Sequence, residues 1–169
     1  PLSKLNFIDC FNDEHEDDYN EKLVKNMQGS HLIHKYKIPF GGGQGNNIEP
    51  CDIALDKTLI YIKNNEGSSY LSHLFFQATN SCSALKDENF RNIFKKKLKR
   101  DGINDFFADD FKASDYTIIL GIINKYTEDR PRIPFFSKVS IKYASQQISN
   151  LGYHFELKNI KKLKENNKD

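Results

Sequence analysis

No apolar run in this 169-residue chain approaches the roughly 20 residues that cross a bilayer as a helix, so no membrane partner is expected. The opening, PLSKLNFIDC, has neither the basic region nor the long apolar segment of a secretory leader, which points to a cytoplasmic protein. It starts at Pro1 rather than Met, as a piece of a longer protein would. Cysteine is scarce: Cys10, Cys51 and Cys82 are odd in number, widely spaced and without CxxC or Cys/His spacing. That argues against a disulfide framework and against structural zinc, and leaves buried free thiols. The glycine-rich loop PFGGGQGNN has no GK[ST] and no GxGxxG opening a helix, so it is a connection rather than a phosphate cradle. GxSxG and HExxH are also missing, which removes the usual serine-hydrolase and zinc-protease readings.

What is present suits a single α/β domain over residues 1–169. Hydrophobic residues make up 38% of the chain, with 13 Phe and 8 Tyr, too aromatic for a disordered segment. The net charge of +2 conceals segregation. Asp9, Asp13, Glu14, Glu16, Asp17, Asp18 and Glu21 crowd residues 9–21, whereas Lys86, Arg91, Lys95, Lys96, Lys97, Lys99 and Arg100 occupy 86–101. Lys158, Lys161, Lys162 and Lys164 add a second basic stretch. Such patches steer polyanions, and they are equally what a solvated helix face carries.

Periodicity predicts a helix over 16–27, with Tyr19, Leu23 and Met27 on one stripe, and a strand over 31–38. Strands over 48–54 and 58–64 follow, then a helix over 70–78 capped by Ser69. A basic helix over 87–100 buries Phe90, Ile93, Phe94 and Leu98 and stops at Asp101-Gly102. YTIILGII, 116–123, is apolar on both faces, the mark of a central strand. After Pro131 and Pro134, Ser137 is placed to cap a helix over 138–150 that Gly152 ends. A last strand covers 153–157. Three meandering strands, helices and a further strand match the order of a restriction-endonuclease-like core, a central mixed sheet flanked by helices.

Metal-dependent nucleases need hard oxygen ligands and a group that orients water or offsets phosphate charge. Asp52 on the second meander strand and Lys63 on the third resemble the PD-(D/E)xK arrangement, with Tyr61-Ile62-Lys63 at the E-x-K position. Tyr61 stands where the second acid belongs, and Glu49, beside Pro50, or Glu21 from the first helix are the candidate replacements. The resemblance implies Mg²⁺ or Mn²⁺ on Asp52 and Glu49. Singly, Asp52 is also a strand-edge acid and Lys63 an exposed strand end.

A second group is Ser68, Ser69, His73 and Gln77. The last two are four apart on one helix face, suited to phosphate or base edges or to a structural network. Arg91, Lys95, Lys96, Lys97, Lys99 and Arg100 would supply broad attraction to phosphate.

Longer stretches carry a family signal. Glu49-Pro50-Cys51-Asp52-Ile53 with Leu59–Lys63, SSYLSHLFFQ from Ser68 to Gln77, and Ser83-Ala84-Leu85 with Asp87, Phe90 and Arg91 resemble a sporadically distributed, uncharacterised bacterial family. Tyr19-Asn20 and Pro134-Phe135-Phe136-Ser137-Lys138 extend the likeness over roughly residues 19–150. Tyr61 departs from that family's histidine, and His34 from its aspartate. The fold analogy implies metal-dependent phosphodiester hydrolysis, DNA favoured over RNA, a homodimer and a defence setting. The rival is an inactive nucleic-acid-binding or protein-interaction module of the same fold.

Overall fold

The computed structural model describes residues 5–11, 13–33, 35–41, 45–125 and 132–163. His34, Pro131 and Lys164 lie outside them. The chain is an α/β protein with a central mixed sheet of order β1-β8-β7-β6-β5-β2. Its strands are β1 (Cys10–Phe11), β2 (Ser30–Leu32), β5 (Ile53–Leu55), β6 (Thr58–Asn64), β7 (Thr117–Asn124) and β8 (His154–Leu163). A separate ribbon, β3 (Ile38–Pro39) with β4 (Asn47–Ile48), interrupts the meander between β2 and β5. The helices are α1 (Glu16–Asn26), α2 (Ser68–Ala84), α3 (Glu88–Arg100) and α4 (Phe135–Asn150).

β2, β5 and β6 pair antiparallel, and β6, β7, β8 and β1 pair parallel. The two parallel crossovers step in the same direction across the sheet, so the right-handed rule puts their helices on one face. Along β6 and β7 the pleat divides the core accordingly. Leu59, Tyr61, Ile118, Leu120 and Ile122 meet the side of α2, α3 and α4. Ile60, Ile62, Ile119 and Ile123 meet Tyr19 and Leu23 of α1 and Met27 at its C-cap. β7 is therefore buried at every position, as its unbroken apolar run predicts. Gly121 leaves room for its neighbours: a Cβ there would lie 2.8 Å from Ile160 Cδ1 and 3.3 Å from Ile62 Cγ1.

Several boundaries differ from expectation, each for a local reason. The strand over 31–38 is broken, because Lys35 turns the chain at φ +70° and Tyr36 N donates to Ile33 O at 3.0 Å. The strand over 48–54 splits into β4 and β5 around Pro50, which has no ladder N–H to give. Asp52 consequently precedes β5 rather than lying within it. Gly67, not Ser69, is the N-cap of α2; its φ of +129° is open to glycine and not to serine. α2 then runs to Ala84, six residues beyond the expected end. Asp87 caps α3 as a side-chain acceptor for Phe90 N at 2.7 Å.

α4 starts at Phe135 behind Pro134, which puts Ser137 inside the first turn. There the Ser137 hydroxyl is fully buried and makes no hydrogen bond among the described residues. Ser137→Ala is therefore expected to leave stability unchanged or raise it by up to about 1 kcal/mol in urea unfolding. A capping serine would instead lose about 1 kcal/mol, so a destabilised variant would refute this placement.

Candidate functional site

The C-terminal end of β6 is where polar side chains from separate elements meet. It is also the end of the parallel strands at which α/β sheets leave a crevice for ligands. The stripe of α1 that buries Tyr19 and Leu23 also carries Glu16, three residues before Tyr19, and so points it toward the sheet. Glu16 Oε1 pairs with Lys63 Nζ at 2.8 Å, and Asn64 N donates to Glu16 Oε2 at 3.3 Å. Lys162 Nζ reaches Asn64 Oδ1 at 3.4 Å. Burial works against the Lys63 charge, but the hydrogen bond and charge of Glu16 outweigh it and hold the ammonium above its ordinary value.

Asp52 approaches from the other side. The β5–β6 ladder ends at Ile53–Ile60, where Asp52 N still donates to Ile60 O at 3.0 Å. The next donor on that edge, Ile62 N, is taken by Asp52 Oδ2 at 2.7 Å. A carboxylate thus stands in for a backbone carbonyl, and one of its oxygens is committed to the sheet. The group is buried, which pushes its pKa up to about 7; Ile62 N opposes the rise, Glu16 and Glu49 add to it, and Lys63 lowers it. Asp52, Glu16 and Lys63 are therefore electrostatic neighbours at one sheet edge. Of the expected set, Asp52 and Lys63 lie near enough to act on each other's charge, with no direct contact between them.

Glu49 belongs to the same neighbourhood through its effect on Asp52, with its carbonyl fixed by Ser81 Oγ at 2.7 Å. Glu21 is exposed on α1, off the stripe that presents Glu16. Reading that stripe one turn back from Tyr19 would have singled out Glu16 from the seven acids of the segment. Among the described residues no cluster of three or more His, Cys, Asp or Glu side chains could hold a metal. Asp52 and Glu16 are the carboxylates at this edge that could serve a hard divalent ion, with water completing its shell. Mg²⁺ accepts such a site, and its charge would favour the ionised carboxylate of Asp52 against burial and, secondarily, the charges of Glu16 and Glu49.

Tyr61 is not at this edge. It faces the α2 side with no exposed surface, and its hydroxyl donates to Pro50 O. The E-x-K alternation is thus present in sequence, but position 61 is core.

His73, Gln77, Asn80 and Phe76 line one side of a groove of about 410 Å³, with Lys37, Asn47 and Glu49 among the residues opposite. Ser68 opens α2 and is half-buried, and Ser69 is exposed. On α3, Arg91 donates to Leu85 O and Lys86 O, each at 2.8 Å, and stacks on Phe111 at 4.3 Å. Lys95 pairs with Asp109 at 2.9 Å, and Lys97 lies over Tyr36 at 5.8 Å. Lys96, Lys99 and Arg100 are exposed. Cys10, Cys51 and Cys82 are free and buried, as expected, and burial raises each thiol, Cys10 to about 11. No helix among the described residues is long and apolar enough to cross a membrane.

Fold and site together define an α/β protein with a carboxylate–lysine cluster at the C-terminal edge of its central parallel strands. The chain belongs to the family of unknown function DUF6119, whose profile matches residues 1–161. No curated protein and no solved structure matches it.

Proposed function

We propose that the chain is a metal-dependent phosphodiesterase acting on nucleic acid, DNA in preference to RNA, built on a restriction-endonuclease-like core. The observation that carries this reading is the Lys63–Glu16 pair at the end of β6, with Asp52 bonded to Ile62 N near enough to feel both charges. With the β3–β4 ribbon and α3 counted as insertions, the order α1, β2, β5, β6, α2, β7 supports it, being the helix, meander, helix and strand of that core. Asp52 and Glu16 are the residues that would hold Mg²⁺ or Mn²⁺, which when bound would polarise the phosphate and make a water more acidic. Lys63, already held as a cation, offsets charge gathering on the phosphate oxygens and moves from Glu16 toward them as substrate enters. Lys96, Lys99 and Arg100 would add salt-dependent attraction.

The test is cleavage of end-labelled single- and double-stranded DNA and RNA with Mg²⁺ or Mn²⁺. Asp52→Ala, Glu16→Gln and Lys63→Ala are each expected to lose about 100-fold or more in rate, and Glu21→Ala to cut like wild type. Cutting that survives both Asp52→Ala and Lys63→Ala would refute the assignment. The burial of Tyr61 favours a second reading, a nucleic-acid-binding module without hydrolysis, because it leaves the second-acid position of the motif sealed. Salt-sensitive binding with no cutting by the wild-type chain would establish that reading instead.

A further inference from the structure

Helix α2 has two faces. Leu71, Leu74, Phe75, Ala78 and Cys82 enter the core. His73, Phe76, Gln77 and Asn80 recur at i, i+3, i+4 and i+7, so they share the opposite face, and all four line the groove of about 410 Å³. Phe76 is 66% exposed on that face, a large apolar ring that contributes little to the core. Around it stand carboxamides, Gln77 and Asn80 from α2 and Asn47 from β4, with one cation, Lys37. Carboxamides offer a donor and an acceptor side by side, which is the pattern of a nucleobase edge. An exposed ring beside them offers a stacking face. A stacked duplex cannot present a base face to Phe76, and the groove admits a nucleoside rather than a helix.

We infer that this groove holds one unpaired base of a single-stranded nucleic acid, stacked on Phe76 and read at its edge by Gln77, Asn80 and Asn47. Glu49 lines the groove and precedes Asp52 by three residues, so the groove and the carboxylate–lysine cluster share the Glu49–Asp52 segment. This inference rests on the nucleic-acid half of the proposed function and not on hydrolysis.

The experiment measures binding in EDTA, where metal-dependent cutting is suppressed. A labelled mixed-sequence single strand, the same sequence as RNA and the corresponding duplex are titrated by fluorescence anisotropy. The single strands are expected to bind about 10-fold tighter than the duplex, and Phe76→Ala to weaken them about 10-fold while leaving duplex binding nearly unchanged. Gln77→Ala should weaken single strands in the same way. The chain contains no tryptophan, so Phe76→Trp gives one indole whose emission reports on the groove alone. That variant should keep wild-type affinity and lose emission when the single strand, but not the duplex, is added. Unchanged single-strand affinity in Phe76→Ala, or no emission change in Phe76→Trp, overturns the inference. Phe76-dependent binding in a chain that never cuts would sink the hydrolase reading and leave this one standing. Cutting that is intact with a Phe76→Ala variant binding like wild type would do the reverse.

Discussion

Replacing Asp52 with asparagine is expected to stabilise the protein at pH 8 by about 2–4 kcal/mol and to flatten its pH dependence between roughly pH 4 and 7. Burial and the neighbouring Glu16 and Glu49 charges hold the Asp52 carboxyl at about 7, against an ordinary 3.8. Between those values the folded protein keeps a proton that the unfolded chain has released. Wild-type stability therefore falls as pH rises through the window and levels off above it. Asparagine retains an oxygen for Ile62 N and carries no charge, so Asp52→Asn removes the cost without breaking the ladder's end. Asp52→Ala lacks that acceptor and forfeits about 1–3 kcal/mol for the orphaned amide. Urea unfolding of the three proteins from pH 4 to pH 9 makes the comparison. A wild-type curve that is flat or rises across the window would show that Asp52 is not held protonated.

A structural cap at Ile62 needs no charge, so a carboxylate that weakens the fold there accords with the proposed ion-binding role. Mg²⁺ separates the two roles without any appeal to cleavage. An ion resting on Asp52 and Glu16 stabilises the folded state by about 2.7 kcal/mol when its concentration is a hundredfold above Kd. The wild-type melting temperature at pH 8 should then climb with Mg²⁺ while Asp52→Asn stays put. Equal responses in both proteins would remove the ion from this site.

Much of this framework is legible in local pattern. The apolar run of β7 predicts a strand covered on both sides, the Tyr19–Leu23–Met27 stripe predicts the buried face of α1, and Asp87 predicts the start of α3. What is hidden depends on contacts distant in sequence. β8 extends to Leu163 although Lys158, Lys161 and Lys162 make its second half look like a fraying tail, because β7 and then β1 supply partners for its backbone. The turn at Lys35 and the β3–β4 ribbon interrupt a segment whose alternation reads as one strand. At the site, strand parity correctly relates residues 61 and 63 but does not say where the sheet ends. Lys63 lies at the rim, where a helix N-terminus can reach it, while Tyr61 is one repeat deeper and enclosed.

That depth makes Tyr61→Glu the most damaging single substitution considered for this site, with an expected loss of more than about 4 kcal/mol. By motif alone the change looks like a repair, since it restores E-x-K. Tyr61, however, has no exposed surface, packs among Cys51, Leu74, Phe75 and Cys82, and donates its hydroxyl to Pro50 O. A carboxylate there would be stripped of water and would meet the Pro50 carbonyl oxygen, which offers it no proton. Tyr61→Phe keeps the ring and loses the hydroxyl that bonds Pro50 O and Ser81, which costs about 1–3 kcal/mol because a buried carbonyl loses its donor. The expected order of urea midpoints is wild type, Tyr61→Phe, then Tyr61→Glu, the last largely unfolded at neutral pH. A Tyr61→Glu protein that folds with wild-type stability and cuts faster with Mg²⁺ would put position 61 back in the metal site. It would also show that the second acid is supplied there rather than by Glu16.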